Sequence, residues 1–382
     1  MTDQSGQMRR QLDRRTFLAA TGQAAVGLAG LSASGVAGTA ADGGGKVKIR
    51  IGQIGTGHAH ASGKMASLRR SGDFEVVGLA EPDEKRRAAA GRSKVYRDVP
   101  VMSVEQLLNV EGLRAVAVET EVRDLLAAAE KCIEAGMHIH LDKPAGESLA
   151  QFKRIMEKAR RKKLVVQMGY MFRYNPAFRL CYRAVADGWM GEVFSVHAVI
   201  SKVIPGSRRP ALAAYRGGAM FELGCHVIDS VVKVLGKPAK VTPFNRHSGR
   251  YDDDLPDNML AVFEYPRATA TVRSAFLEVE GQRRRQFVVC GDRGTIDIRP
   301  LEPPRVRLAL ARGRGEFKKG YQDVAMPKYV RYDDDFVDLA RVLRGQKEFE
   351  FSVGHDLAVQ EAILAASGRR GARTLRFAAG WG

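Results

Sequence analysis

An acidic and a basic side chain four positions apart form the first candidate site of this sequence. Glu222 and His226 follow the glycine pair Gly217-Gly218. On a helix, residues four apart share one face, with about 6 Å between their Cβ atoms. A carboxylate beside an imidazole orients the ring and raises its basicity, which is a common way to build a general base near neutral pH. The pair therefore predicts proton transfer.

A lysine that directly follows an apolar strand is the second candidate. Lys143 stands in Asp142-Lys143-Pro144, just past the predicted strand His138–Leu141. The carboxyl ends of parallel strands are where open α/β sheets expose their ligands. An ammonium there can hydrogen-bond a substrate oxygen and stabilise the negative charge that develops on it. The alternative is a surface lysine in a turn.

A glycine-rich turn after the first apolar strand predicts a nucleotide site. Glycine permits a tight turn and a close approach of a pyrophosphate, whose charge meets the N-terminus of the next helix. His60 stands at the third position of the GxGxxG pattern, where Gly or Ala is usual. The predicted cofactor contacts in this turn are Gly52, Gly55, Thr56, Gly57 and His58.

An acid at the end of the second strand predicts the type of dinucleotide. Glu81 follows the predicted strand Phe74–Ala80 and is placed to accept hydrogen bonds from the adenosine ribose. Its charge repels a 2′-phosphate, which favours NAD, although Arg86 and Arg87 nearby leave NADP open. The alternative for Glu81 is a helix-capping acid before Pro82.

Composition limits the remaining classes of function. The chain has 382 residues and a formal net charge of +18, with 45% hydrophobic and 27% charged residues, as expected for a globular protein of two domains. Its basic residues come mostly as scattered pairs with little aromatic interleaving, so we predict solvated surfaces and no nucleic-acid face. The four cysteines form no CxxC motif and are interpreted as buried thiols.

Two His-x-His pairs raise the question of a metal. The pairs are His58 with His60 and His138 with His140, and residues two apart on a strand share a face. No third carboxylate or cysteine ligand has convincing spacing. We therefore predict that the chain holds no metal.

The first 45 residues read as an export signal and a flexible linker. Arg14-Arg15-Thr16-Phe17-Leu18 precedes a weakly apolar Ala/Gly/Leu run and the stretch Asp42–Gly45. This pattern predicts export by the twin-arginine machinery to the periplasm, with no stable membrane anchor; a disordered basic tail is the alternative. That route carries folded proteins, so we expect the dinucleotide to be tightly bound.

The rest of the chain divides into two kinds of pattern. Residues 46–170 alternate strands and helices, which predicts an α/β Rossmann domain with a doubly wound parallel sheet. Residues 171–382 carry several strand-like runs with period-two alternation, which predicts an α+β domain with a largely antiparallel open sheet.

With these motifs in order, the sequence from about Lys46 onward resembles the Gfo/Idh/MocA family of oxidoreductases. The resemblance implies NAD(P), a sugar, polyol or related hydroxyl substrate, and a homo-oligomer built on the open sheet. By the family pattern, Lys143, Glu222 and His226 form the catalytic set, with His226 moving the hydroxyl proton. The segments that carry the likeness are Ile51–Gly57, Leu141–Pro144, Gly169–Pro176 and Gly217–Asp229.

Three positions depart from the family pattern. Asp142 replaces the usual glutamate, Glu222 replaces an aspartate, and Thr120–Leu125 stands where the family has Thr-Pro-Asn-x-x-His. Thr120 stays a candidate cofactor contact. Arg173 is also a candidate: it either reaches the nicotinamide or substrate, or forms a hinge between the domains.

Two other functions stay open at this point. One is an NAD-dependent, redox-assisted glycoside hydrolase, in which transient ketone formation acidifies a neighbouring C–H. The other is a sugar-binding protein on a dehydrogenase scaffold, which the departures at Thr120–Leu125 and His60 suggest.

Overall fold

A five-stranded parallel sheet forms the amino-terminal half of the fold. The structure is a computed structural model that describes residues 46–214 and 216–368. The predicted export signal lies outside the described residues. The strands, in the spatial order β2-β1-β3-β4-β5, are β1 (Ile49–Ile54), β2 (Phe74–Ala80), β3 (Leu113–Val118), β4 (His138–Leu141) and β5 (Val166–Met168).

Helices connect these strands, which confirms the doubly wound α/β prediction. Ser103 and Gln106 form a capping box at the start of the third helix, Val104–Leu108. The second helix was not predicted, because only Ala90 of its residues is buried and it lacks an apolar stripe. The helices are α1 (Ala61–Arg70), α2 (Glu84–Arg92), α3 (Val104–Leu108), α4 (Val122–Glu134) and α5 (Leu149–Arg161).

The second sheet has eight strands in the order β13-β12-β11-β10-β6-β9-β8-β7. Only the β6–β9 pair is parallel among its pairings, so the prediction of a largely antiparallel sheet is confirmed. Its strands are β6 (Val193–Ser201), β7 (Lys240–Arg246), β8 (Asn258–Glu264), β9 (Thr269–Ala275), β10 (Gln286–Gly291), β11 (Gly294–Leu301), β12 (Pro304–Leu310) and β13 (Gly320–Val324).

Helices cover one face of this sheet. The helices of this part are α6 (Pro176–Ala186), α7 (Arg209–Ala213), α8 (Cys225–Leu235), α9 (Gly281–Arg284), α10 (Asp333–Leu343) and α11 (Val353–Ala366). α6, α8 and α11 pack on the strands. Alternate strand residues such as Val262 and Thr271 stay partly exposed, so the other face is open. No helix of the described ranges has the length and apolarity of a membrane span.

Helix α10 belongs to the core of the first sheet although it follows the second sheet in sequence. Phe336 and Leu339 of α10 are buried in one apolar cluster with Ile51, Leu68 and Phe74. A sequence boundary at residue 170 therefore does not separate the two cores. The apolar stripe of α10 predicts a buried helix face, but it does not reveal which sheet that face covers.

Candidate active site

The carboxyl ends of β1, β3 and β4 bring the predicted motifs to one edge of the parallel sheet. The register pairs Ile54 with Val118, and Val118 with Leu141. The glycine turn, Glu119-Thr120-Glu121 and Asp142-Lys143 therefore start side by side. This is the edge where parallel sheets bind their ligands.

The glycine turn packs closely against the residues that follow β3. Gly55 has a φ of +85°, and a Cβ there would lie 2.7 Å from Thr120. A Cβ on Gly57 would lie 2.9 Å from Glu121. Among the described residues, the N–H groups of Gly57 and Ala59 have no hydrogen-bond partner. Free donors at the N-terminus of a ten-residue helix suit an anion such as a pyrophosphate.

A cavity of about 420 Å³ lies beside this turn, and its chemistry fits a dinucleotide. Its lining residues include Gly57, Glu81, Arg86, Thr120 and Glu121. Gly52 does not contribute to it: a Cβ on Gly52 would meet the Leu107 side chain at 2.7 Å. The absence of a side chain at Gly52 thus serves the packing of α3, which corrects the predicted cofactor contact.

Glu81 is bound to the turn itself. Its Oε2 accepts hydrogen bonds from the Thr56 N–H at 2.6 Å and from the Thr56 hydroxyl at 2.7 Å. Its Oε1 accepts from the Asp83 N–H at 3.0 Å. The carboxylate therefore fixes the glycine turn against the end of β2, and Thr56 has no free N–H for a phosphate.

Glu121, the acid that departs from the family pattern, is neutralised by its neighbours. Its carboxylate forms ion pairs with Arg86 and Arg123. The Arg86 pair joins the start of α2 to the start of α4 across the cavity. The extra negative charge is thus compensated locally, and the arginines keep positive charge beside the cavity.

Lys143 meets Glu222 across the two halves of the fold. Its Nζ donates to the Glu222 carbonyl at 2.7 Å and lies 3.6 Å from Glu222 Oε1. Burial alone would lower the pKa of the Lys143 ammonium, but Glu222, Cys225 and Asp142 together outweigh it and the pKa is raised. Lys143 is therefore a permanent hydrogen-bond donor at neutral pH.

Glu222 does not orient His226, which corrects the prediction from their spacing. Among the contacts of the described residues, no hydrogen bond or ion pair joins the two side chains. Met220–Gly224 forms a π-helical turn before α8, so Glu222 and His226 are not on one regular α-helix. A π-turn is wider than an α-turn, and such turns are frequent at functional sites.

His226 is buried, and its ring lies next to the ring of His60. The two ring centroids are 5.6 Å apart, and His226 Nδ1 accepts the Met171 N–H at 3.3 Å. The neutral ring therefore carries its proton on Nε2. Burial lowers the pKa of His226 well below 6.5, and the Lys143 charge lowers it further. The imidazole is neutral at physiological pH.

A second cavity, of about 150 Å³, joins the glycine turn to the second half of the fold. His58 and Glu222 line it together with Arg208 and Leu212 from the segment around α7. His226 is not among its lining residues. This cavity continues the edge of the nucleotide cavity, since Gly57 and Glu121 line both.

A buried ion network lies beneath these groups and was not predicted from the sequence. Lys64 Nζ lies 3.0 Å from Glu119 Oε1 and 2.9 Å from Asp142 Oδ2, and all three side chains are fully buried. Burial raises the pKa of Glu119 well above its usual value. Burial would also raise the pKa of Asp142, but His58 and Lys64 hold it well below. One signal was available: Lys64 shares a helix face with apolar Ala61 and Leu68.

Asp142 gathers the two histidines of the first His-x-His pair. His58 Nδ1 lies 2.6 Å from Oδ2, and His60 Nδ1 lies 3.2 Å from Oδ1. The three side chains offer ligand atoms within 4.8 Å of one another. Lys64 already supplies the cation at this carboxylate, and its charge opposes a metal ion there.

Arg173 does not approach the nucleotide cavity, which corrects its assignment as a cofactor contact. Its fully buried guanidinium donates to Asp229 Oδ1 at 2.7 Å and to Asp356. The face of the guanidinium packs 4.0 Å from the Phe351 ring. Arg173 therefore joins α8 to α11, because two buried carboxylates attract its charge.

Low pH should reduce the free energy of unfolding, because it favours protonation of His140 in the second His-x-His pair. Burial lowers the pKa of His140 from 6.5 to about 3. Between these values the unfolded chain binds a proton that the folded chain excludes, so this stability is present above pH 6.5 and is lost as the pH falls. His140→Asn keeps a donor toward Gln167 and removes the titration. We expect the slope of unfolding free energy against pH to fall by about 1.4 kcal/mol per pH unit.

The measurement is urea unfolding of both proteins between pH 4.5 and 6.5. The matched control is His197→Asn, because His197 is exposed on the open sheet and should change the slope less. Equal slopes in wild type and His140→Asn would contradict the prediction.

Two family models match the chain. The model of the oxidoreductase family, NAD-binding Rossmann fold, matches residues 49–170. The model of the GFO/IDH/MocA C-terminal domain matches residues 178–297. The first match contains the glycine turn and Lys143, and the second contains Glu222 and His226.

The sequence relatives are distant, and each alignment covers only part of the relative's length. The uncharacterized oxidoreductase YhhX of Escherichia coli (strain K12) is 25% identical over 234 residues, 60% of this chain and 64% of that protein. Trans-1,2-dihydrobenzene-1,2-diol dehydrogenase of Homo sapiens is 24% identical over 206 residues, 53% of this chain and 60% of that protein. The chain thus spans less than two-thirds of the length of these relatives.

Solved structures share the fold. UDP-N-acetylglucosamine 3-dehydrogenase GnnA from Acidithiobacillus ferrooxidans matches with a TM-score of 0.70 and 17% identity, over 84% of this chain and 97% of that chain. A protein named as a putative NADPH-dependent oxidoreductase, from Desulfitobacterium hafniense DCB-2, matches with a TM-score of 0.71 and 20% identity, over 84% of this chain and 95% of that chain.

Proposed function

We propose that this chain, which belongs to the Gfo/Idh/MocA family of NAD-binding oxidoreductases, transfers a hydride between a nicotinamide dinucleotide and a hydroxyl-bearing carbon of a sugar, polyol or related substrate. The observation that carries the proposal is the Lys143–Glu222 pair beside the glycine turn, with 3.6 Å between Nζ and Oε1. When bound, the nicotinamide supplies the hydride acceptor or donor. The dehydrogenase names of the human relative and of GnnA support the same chemistry.

Lys143 holds the reacting oxygen in this proposal. Its charged Nζ is buried and already donates to one carbonyl, so two further N–H groups remain for a substrate. A hydrogen bond to the oxygen strengthens as negative charge develops on it, which is the way a fixed donor lowers a barrier. Glu222 keeps the lysine charged and in place.

His226 takes the hydroxyl proton in the leading form of the proposal. Its neutral state at physiological pH is the form that accepts a proton. For Nε2 to accept, the ring must carry its single proton on Nδ1 instead, and it then gives up the hydrogen bond from the Met171 N–H.

His58 is a second candidate for the proton acceptor. A ring nitrogen 2.6 Å from a carboxylate oxygen carries a proton, and this contact to Asp142 outweighs the 3.3 Å approach of the His60 N–H. Nε2 of His58 is then the free acceptor, on a ring that lines the cavity with Glu222.

Paired histidine variants distinguish the two acceptors. Loss of the proton acceptor should lower kcat by about a hundredfold or more, while nucleotide affinity stays within a few-fold. We expect this loss in His226→Asn and a smaller loss in His58→Asn; the reverse order would assign the proton to His58. His197→Asn is the control, because His197 lies on the open sheet. Unchanged turnover in both variants would refute both assignments.

The proposed cofactor is NAD, tightly bound. Glu81 places negative charge at the end of β2, which opposes a 2′-phosphate. Gly57 and Ala59 would bind the pyrophosphate through their N–H groups, and Arg86 and Arg123 add positive charge. We also propose export through the twin-arginine route, because of Arg14-Arg15, and assembly of copies through the open sheet face.

The test begins with protein purified from the exported fraction. Native mass spectrometry and absorbance would detect a bound dinucleotide, and titration with NAD and NADP would rank them. Aldoses, polyols and aryl glycosides are then assayed for nicotinamide reduction and, separately, for aglycone release. Nicotinamide reduction by a polyol or aldose is the expected result. Failure to bind either dinucleotide would overturn the proposal, and aglycone release without net reduction would replace it with the glycoside hydrolase.

A further inference from the structure

A short segment from the second half of the fold forms one wall of the cavity of about 150 Å³. We call residues 205–214, which contain α7, the α7 segment. Arg208 and Leu212 of this segment line the cavity, and Ala59 and Val122 line it from the side of the parallel sheet. A molecule in this cavity therefore lies between the α7 segment and the nucleotide edge of the sheet.

Few contacts hold the α7 segment on the fold. Arg209 and Leu212 are the only buried side chains of residues 205–214. The helix α7 has five residues, and a helix of that length is not stable by itself. Leu212 borders the cavity, so only part of its surface packs on protein. The position of this wall thus depends largely on Arg209, because segments with few buried contacts open most easily.

Arg209 joins the α7 segment to the loop between β7 and β8. Its Nε donates to Asp253 Oδ2 at 2.6 Å, and its Nη2 donates to Asp253 Oδ1 at 2.8 Å and to Asp257 Oδ2 at 3.0 Å. The guanidinium carbon lies 4.0 Å from the centroid of the Tyr251 ring. The contact with Asp253 is bidentate and charge-assisted, which is a strong form of hydrogen bonding.

The loop that receives Arg209 is fixed by its own hydrogen bonds. Asp257 is fully buried directly before β8, and its Oδ1 accepts the Ser248 N–H at 2.8 Å. Oδ1 of Asp253 accepts the Leu255 N–H at 3.0 Å. The two carboxylates are therefore held by the loop itself, and their ion pairs with Arg209 fix the α7 segment rather than the loop.

The covered cavity continues the nucleotide cavity. Gly57 and Glu121 line both. Ala59, which has a free N–H at the start of α1, lines the smaller cavity, and so does Glu222. A dinucleotide that reaches from the larger cavity to Glu222 must therefore enter the space that the α7 segment covers.

We propose that the α7 segment retains the dinucleotide by covering its nicotinamide end, and that Arg209 is the positioning residue that keeps the segment closed. The inference rests on the proposed function, because hydride transfer at Lys143 and Glu222 requires the nicotinamide to enter the smaller cavity. Release of the dinucleotide then requires the α7 segment to move. The ion pairs of Arg209 therefore slow the release, which gives a physical reason for a tightly bound cofactor.

The test compares Arg209→Met and Asp253→Asn with wild type. Methionine keeps an apolar side chain against Tyr251, whereas Asp253→Asn retains Arg209 and removes one of its two anionic partners. The probes are NADH and NADPH, displaced by an excess of the oxidised dinucleotide, and release is followed by the loss of nicotinamide fluorescence. Hydrogen exchange of peptide 205–214 without dinucleotide measures the opening of the segment. Arg344→Met is the control, because Arg344 forms an ion pair with Asp73 directly before β2, at the opposite edge of the sheet.

We expect Arg209→Met to release the reduced dinucleotide about tenfold faster than wild type or more, and Asp253→Asn to give a smaller increase. Peptide 205–214 should exchange faster in both variants, while the strands of the parallel sheet exchange as in wild type. The control should change neither rate. Release from Arg209→Met within about threefold of wild type, or faster exchange spread over the whole fold, would overturn the inference.

The two proposals fail in different ways. Faster release from Arg209→Met without nicotinamide reduction by any aldose or polyol would contradict the proposed function and leave the role of Arg209 standing. Nicotinamide reduction with a raised KM for the hydroxyl substrate and unchanged dinucleotide release would support the proposed function and reject retention by the α7 segment. A wild-type protein that binds neither NADH nor NADPH would overturn both.

Discussion

Lys143→Met should reduce kcat by about a thousandfold and leave dinucleotide affinity within a few-fold. Methionine has nearly the length of lysine, so the buried space stays filled while the donor to the reacting oxygen is lost. The Glu222 carboxylate loses its cation at 3.6 Å, but it lines a cavity and can be hydrated there. The fold should therefore tolerate the change better than the chemistry does.

Steady-state kinetics with the best substrate, and dinucleotide titration of the same preparation, measure the two effects. Lys153→Met is the matched control, because Lys153 is exposed on α5 and its ion-pair partner is a residue of the same helix. Lys143→Arg keeps the charge but not the compact ammonium, so we expect it to bind dinucleotide and to recover little turnover. A kcat for Lys143→Met within tenfold of wild type would remove Lys143 from the mechanism.

Lys64→Met should destabilise the fold by about 3–5 kcal/mol, because it leaves two buried carboxylates without their cation. Glu119 and Asp142 are both fully buried, and Lys64 lies within 3.0 Å of each. Asp142 retains His58 and His60, whereas Glu119 has no other ion pair among the described residues. The main cost thus falls on Glu119.

Urea unfolding at neutral pH measures this loss, and the double variant Lys64→Met/Glu119→Gln is the control. We expect it to recover part of the loss, because it removes the unpaired charge. In Lys64→Met alone, the folded pKa of Glu119 rises further above its unfolded value. A raised carboxyl pKa gives stability below the unfolded pKa that is lost as the pH rises, so the variant should be less impaired at pH 5 than at pH 8. A loss below 1 kcal/mol would show that the network adds little.

The sequence was sufficient for the order of elements because that order follows from local periodicity. Strands β2 and β4 have the predicted limits, since apolar runs of strand length end there at charged residues. The glycine turn and Lys143 could be placed at the carboxyl edge, because parallel strands expose their ligand sites there. The segment that contains Glu222 and His226 could also be located from the sequence, because its residues are contiguous.

Only the tertiary structure decided which charges meet. Lys64 and Glu119 are 55 positions apart, and Lys143 and the Glu222 carbonyl are 79 apart, so no helical or strand period relates them. The sequence determined the residue types and the edge of the sheet where they stand. In the tertiary structure, Glu222 pairs with Lys143 and not with His226. The π-turn and the packing of the two sheets set the distance between the Glu222 carboxylate and the Lys143 ammonium, and charges pair with the nearest opposite charge.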